Sequence, residues 1–273
     1  MAPSRDAQAG AHRRRMFEDE PVFASVAIVI AVAGGLFVVA GLFDDRLVLG
    51  ENVWIKPTKF ALALSVYLGT LAYYARWLPN GLTDNRLYRG YSMVIASAVL
   101  AELVWVAGAA AFGLQSHFNR DTQVMAVLYP IMGALAVILT SAALFFGLQI
   151  AVHKTVSLSP ALKLAVSGGL ILTFFSTVLV ALYLASNGGH HVGVPSNRDA
   201  VLIGLGWSRD VGDLRVPHFF ATHALHVVPL VGLVSHVAMP PRLAFWSTCL
   251  MLLLYTGLIA FTFVQARAGV PFL

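Results

Sequence analysis

The chain has 273 residues, 58% of them hydrophobic and 11% charged, with nine histidines, one cysteine and a formal net charge of +5. A mean hydropathy of +0.77 excludes a soluble domain built round a single core, and the lone Cys249 excludes an intrachain disulfide, a cysteine zinc site and covalent haem attachment. The basic residues cluster only at Arg13, Arg14 and Arg15, so the positive charge points to membrane orientation and not to nucleic acid.

Residues 1–21 read as a cytoplasmic tail. Glu18, Asp19 and Glu20 separate its arginines from an apolar run too long for a cleaved signal peptide, which makes that run an uncleaved anchor. Seven stretches follow that are long enough to cross a hydrocarbon layer of about 30 Å at about 1.5 Å per residue. They are 22–43, 59–77, 90–113, 124–148, 163–185, 218–238 and 243–265. None alternates polar and apolar residues as barrel strands do. The expected fold is all-α: a polytopic bundle of seven transmembrane helices occupying 22–273. Arg5, Arg13–Arg15, Arg76, Arg86, Arg89, Lys154, Lys163 and Arg242 fall on the side of the tail. This small excess predicts the N-terminus inside and the C-terminus outside.

Inner connections are short and rich in turn formers, as in LPNGLTDNR (78–86) and HVAMPPRL (236–243). The outer ones carry ENVWIKPTKF (51–60), LQSHFNRD (114–121) and a long glycine-rich loop over 188–217, and loops of that length tend to be functional. The sequence shows no internal repeat.

The chemistry gathers towards the outer side. His218, His223 and His226 occupy one sector of about 140° on the sixth helix, with His226 about 12 Å deeper than His218. Neutral imidazoles there can bond neighbouring helices, ligate a metal or haem, or relay protons. Glu102 lies about 18 Å from the outer end of the third span, where a carboxyl needs a proton, a cation or strong donors. It can carry a proton, ligate a metal or bond another helix. The third span exits into His117. Lys56 and Lys59 flank Pro57, either snorkelling to the interface or forming a cationic rim for an anionic group. Arg209, Asp210, Asp213 and Arg215 either neutralise one another or let Asp213 cap the sixth helix while an arginine grips an anion. His153 and His236 end inner spans and are a weaker candidate for bis-histidine haem, and His190 and His191 can contribute to an outer site or be solvated loop residues. No lysine in the seventh span can anchor retinal, and nucleophile-elbow, P-loop, H-E-x-x-H and dinucleotide motifs are absent from the sequence.

The motifs Trp54-x-Lys56-Pro57-x-Lys59-Phe60, Ser116-His117-Phe118-Asn119 and Asp213-Leu214-Arg215-x-x-His218-Phe219 together resemble a family of bacterial multi-pass membrane proteins of uncharacterised activity. The resemblance implies a bacterial inner-membrane protein with its distinctive motifs on outer loops and helix ends. It implies no activity.

The sequence therefore predicts an outward-facing polar pocket lined by Lys56, Lys59, Glu102, His117, His218, His223 and His226 and lidded by 188–217. The first reading is a metal- or haem-dependent redox or hydrolytic membrane protein. In it His117, His218, His223 and His226 are ligands, Glu102 and His226 handle protons, and Lys56, Lys59, Arg209, Asp213 and Arg215 anchor a small-molecule or lipid substrate. The alternatives are a small-solute or proton-coupled transporter, and a structural membrane subunit.

Overall fold

The computed structural model describes residues 16–154, 158–197 and 200–273; Arg5, Arg13, Arg14, Arg15 and Arg198 lie outside the described residues. Seven long helices carry the chain: α1 Pro21–Phe43, α2 Ile55–Tyr74, α3 Arg86–Ala111, α4 Gln123–Val152, α5 Pro160–Ser186, α6 Arg215–Ala238 and α7 Pro241–Arg267. Among the described residues six of these, all but α2, are long and apolar enough to cross a membrane. The architecture is all-α and multi-pass. In α2, Lys56 and Lys59 with Thr58, Ser65, Tyr67 and Thr70 dilute the apolar run. Helices begin a few residues earlier than the apolar stretches because polar residues start them. Asn85 accepts a hydrogen bond from the Leu87 N–H at 2.8 Å, Ser159 caps α5, and prolines open α1, α5 and α7.

The chain divides into two compact units, Met1–Ala142 and Ala143–Leu273, with the boundary inside α4. In the first, α1, α2 and α3 pack together round Phe23, Ile30, Leu68, Leu71, Ile95 and Val99, all fully buried. Gly34 brings α1 so close to α2 that a Cβ there would stand 3.0 Å from that of Ala61. Between α1 and α2 a two-residue antiparallel pair forms, β1 Leu47–Val48 with β2 Glu51–Asn52.

In the second unit α5, α6 and α7 pack together round Ala165, Ala221, Ala224 and Val228. A Cβ on Gly169 would meet the Ala224 carbonyl at 2.9 Å and Val228 at 3.3 Å, so glycine sets the α5–α6 approach. An antiparallel pair, β3 His191–Val192 with β4 Gly212–Asp213, lies between α5 and α6. The backbone of Gly212 abuts the Ala266 carbonyl near the end of α7, leaving no room for a side chain.

The two units follow one plan. Each runs helix, short β pair, helix with proline at its third residue (Pro57, Pro217), helix. Each third helix ends in the same Ala-x-x-Gly motif. Leu114 N–H bonds Ala109 O at 2.8 Å and Val270 N–H bonds Gln265 O at 3.2 Å, with Gly113 and Gly269 at φ 68° and 75°, the left-handed cap that favours glycine.

Gly169→Val is expected to lower stability by about 1–3 kcal/mol by overpacking α5 against α6, read as a fall in the thermal midpoint of helical signal in detergent. Gly133→Ala, at a position with open space around it, should leave the midpoint unchanged or slightly raised.

Candidate functional site

In the first unit, the start of α2, the middle of α3 and the turn after α3 supply one polar cluster. Lys56 is the second residue of α2, and its Nζ stands 3.3 Å from His117 Nδ1. Ser116 Oγ stands 3.1 Å from the same nitrogen. The turn is fixed because Trp105 Nε1 donates to Ser116 O at 2.8 Å. The His117 ring lies against Phe60 and Tyr129, with centroids 5.5 Å and 6.4 Å away. Burial, reinforced by the Lys56 charge, pushes the His117 pKa down to about 3, so the ring is neutral near pH 7. An ammonium only donates, so His117 Nδ1 is the acceptor and its proton sits on Nε2. Glu102, on α3, is 4% exposed, and Lys56 is the charge that acts on it. Lys56 is thus bonded to an imidazole and lies within electrostatic reach of a buried carboxyl. Lys59 is exposed.

In the second unit the 188–214 loop is a hydrogen-bonded cap. Val201 bridges Ser208, Leu202 N–H bonds Trp207 O at 2.8 Å and Leu214 N–H bonds His190 O at 2.8 Å. Asp213, fully buried as a side chain, holds Arg215 at 2.6 Å and accepts from the N–H groups of Ser208 and Arg215 at 2.9 Å each. It therefore caps α6. Burial opposes its ionisation, but the Arg215 guanidinium and those N–H groups outweigh it and hold the carboxyl below the usual range. Arg215 also donates to Gly206 O. Asp210 accepts from the Ser196 and Asn197 N–H groups, and Arg209 is exposed. His191 has its Nε2 3.9 Å from Asp213 Oδ2.

Along α6, His223 Nδ1 and His226 Nδ1 face each other at 3.2 Å. The Phe219 ring lies 4.2 Å from that of His223, and His218 Nδ1 is buried without a hydrogen-bond partner. Among the described residues no group of three or more His, Cys, Asp or Glu side chains is placed to hold a metal ion. His153 and His236, at the ends of α4 and α6, are both exposed. Lys56, Lys59, Glu102 and His117 belong to the first unit, and Arg209, Asp213, Arg215 and the three α6 histidines to the second. An open groove of about 390 Å³ along α3 and α4 is lined by Met93, Val94, Ser97, Ala98, Ala101, Leu135 and Ile138. It holds no titratable group, so the chemistry does not lie there.

Two features escaped the sequence reading. Asp44 binds Arg46 at 2.7 Å, accepts from Trp54 Nε1 at 2.8 Å and fastens Asn52 through its carbonyl. Arg46 in turn donates to Ala111 O at 3.0 Å. Asp-x-Arg occurs at Asp44–Arg46, Asp84–Arg86 and Asp213–Arg215; in the first and last the two residues pair with each other, whereas Asp84 pairs with Arg89, so the pattern alone does not mark the clasp. Glu20, 1% exposed, is bonded by the Tyr88 hydroxyl, a pairing that no local pattern announces.

His117 has a depressed pKa in the folded chain, so its contribution to stability is complete above the unfolded value of about 6.5 and is lost as pH falls towards about 3. His117→Gln should flatten the stability profile between about pH 6 and 4, measured by thermal melts. Asp213 also has a depressed value, so its contribution is present above about pH 4 and lost in stronger acid. Asp213→Asn should cost about 2 kcal/mol at pH 7 and progressively less as acid protonates the carboxyl of the folded chain, read from thermal melts. The chain matches no protein-family model, no curated protein and no solved structure, so its function is read from these two clusters.

Proposed function

We propose that the protein is a proton-coupled carrier of a small solute in a bacterial inner membrane. In this reading α2 serves as the seventh span, the N-terminus is cytoplasmic and the C-terminus is outside. The observation that carries the reading is Lys56, which bonds His117 and acts electrostatically on the buried Glu102 of α3. A carboxyl and an ammonium brought into such surroundings are expensive unless they work. When Glu102 is ionised, it attracts the ammonium. A proton arriving on Glu102 removes that attraction and leaves the ammonium its bond to His117, whose ring Ser116 steadies. Protonation thus changes what ties the head of α2 to α3, which is the two-state element that coupling requires. Lys59, exposed one turn further on, adds a second cation and favours an anionic solute.

The metal- or haem-dependent reading finds less support. His117 Nδ1 is engaged by Lys56 and Ser116, and the Nδ1 atoms of His223 and His226 are turned on each other.

Purified protein in liposomes, under an imposed pH gradient, should move protons when a small monocarboxylate or inorganic phosphate is supplied, recorded with an internal pH dye. Glu102→Gln should reduce that coupled flux by about tenfold or more. Wild-type protein that moves no protons with any solute of these classes would sink the proposal. Stoichiometric bound metal lost on changing His218 to Ala would favour the metal reading instead.

A further inference from the structure

The imidazole pair of α6 has a consequence of its own. His223 and His226 are three apart and therefore neighbours on one face of the helix. Their facing atoms are both Nδ1, 3.2 Å apart. Two neutral imidazoles can meet in this way only if one carries its proton on Nδ1 and the other on Nε2. The tautomers of the two rings are therefore locked to each other.

No Asp, Glu, Lys or Arg lies on α5 beyond Lys163, on α6 beyond Arg215, or on α7 between Arg242 and Arg267. From α5 the buried polar groups are Ser167, Thr173 and Thr177, and from α7 they are Thr248, Tyr255 and Thr262. Tyr255 spends its hydroxyl on Phe220 O at 3.0 Å, and Thr173, Thr248 and Thr262 bond carbonyls of their own helices. The charged groups nearest in sequence, Asp213 and Arg215, are closed on each other. His223 is electrostatically linked to both His218 and His226, which makes it the middle member of the three.

We infer that the His223–His226 pair is a proton relay within the second unit, a second proton-binding site of the carrier proposed above and dependent on that reading for its role in transport. The step balances. A proton binds Nε2 of the ring that holds Nδ1–H, giving an imidazolium. Its Nδ1 proton crosses the 3.2 Å bond to Nδ1 of the partner ring. The partner then releases its own Nε2 proton to water. One proton enters, one leaves, and both rings end neutral with their tautomers exchanged, so the pair passes one proton and must be reset before it passes another the same way. Relay of this kind suits imidazole, whose two nitrogens are a donor and an acceptor in one ring.

Nitrogen NMR of histidine-labelled protein in nanodiscs tests the pair directly. The expected spectrum at neutral pH contains one Nδ1–H and one Nε2–H imidazole that both vanish as a pair in His223→Gln and in His226→Gln. Acid titration should add one shared proton to the two rings. Glutamine keeps a hydrogen bond but cannot pass a proton, so each variant should keep the wild-type thermal midpoint while losing about tenfold of proton-coupled flux. Two Nε2–H rings with no mutual dependence would overturn the relay, as would wild-type flux in both glutamine variants. If Glu102→Gln abolishes coupled flux and the histidine variants do not, the relay fails and the carrier stands. If wild-type protein moves no protons, the carrier fails, and uptake of one shared proton in the titration decides the pair by itself.

Discussion

The structure depends on one constraint: a polar loop must end on an apolar helix without leaving charge or backbone groups unanswered. Both units solve it with an aspartate–arginine clasp in the link between their first and second helices, at the end of α1 in one and at the start of α6 in the other. In the first, Asp44 joins Arg46, Trp54 and Asn52, while Arg46 reaches the Ala111 carbonyl at the end of α3. In the second, Asp213 joins Arg215 and Ser208, while Gly212 lies on the Ala266 carbonyl near the end of α7. A planar guanidinium paired with a carboxylate supplies several strong, directional bonds from two residues. The clasp therefore closes the loop, starts one helix and meets the end of another. The histidine pair and the lysine cluster both sit just beyond such a clasp, on helices whose entry it fixes.

Some of this was legible and some was not, for physical reasons. Apolar runs define the spans, and their errors fall at starts, where caps such as Asn85 and Ser159 are polar by necessity. The α6 histidine seam could be read from 3.6-residue periodicity, and His223 and His226 do meet. The link from Lys56 to His117 spans 61 residues. No local pattern encodes such a contact, although each residue was suspect on its own. The long 188–217 loop looked permissive from its glycines; its order comes from hydrogen bonds to Asp210 and Asp213 that composition does not show.

The common plan of the two units was invisible in the sequence because only its geometric necessities recur. Proline at the third helical residue, a glycine cap after the third helix and an Asp-x-Arg clasp are backbone requirements. The side chains that carry chemistry have no counterpart across the units. Lys56, Glu102 and His117 make up the cluster of the first, and a pair of imidazoles on one helix marks the second. A shared backbone plan with divergent interiors suits a molecule that uses its halves differently.

That divergence also weighs on whether the polar groups merely hold helices together. This chain has cheaper glue and uses it. Tyr91 meets Ser141 at 2.9 Å, Ser235 meets Ser247 at 3.0 Å, and Tyr67 donates to Leu139 O at 2.8 Å. Hydroxyls of this kind bond helices without carrying charge into an apolar setting. A buried carboxyl beside an ammonium gives up hydration worth several kcal/mol per ion and returns little net stability. Hydroxyls serve as such glue elsewhere in the same unit, so a lysine bonded to an imidazole within electrostatic reach of a buried carboxyl is more than helix pairing needs, and this is what favours the proposed carrier over a purely structural subunit.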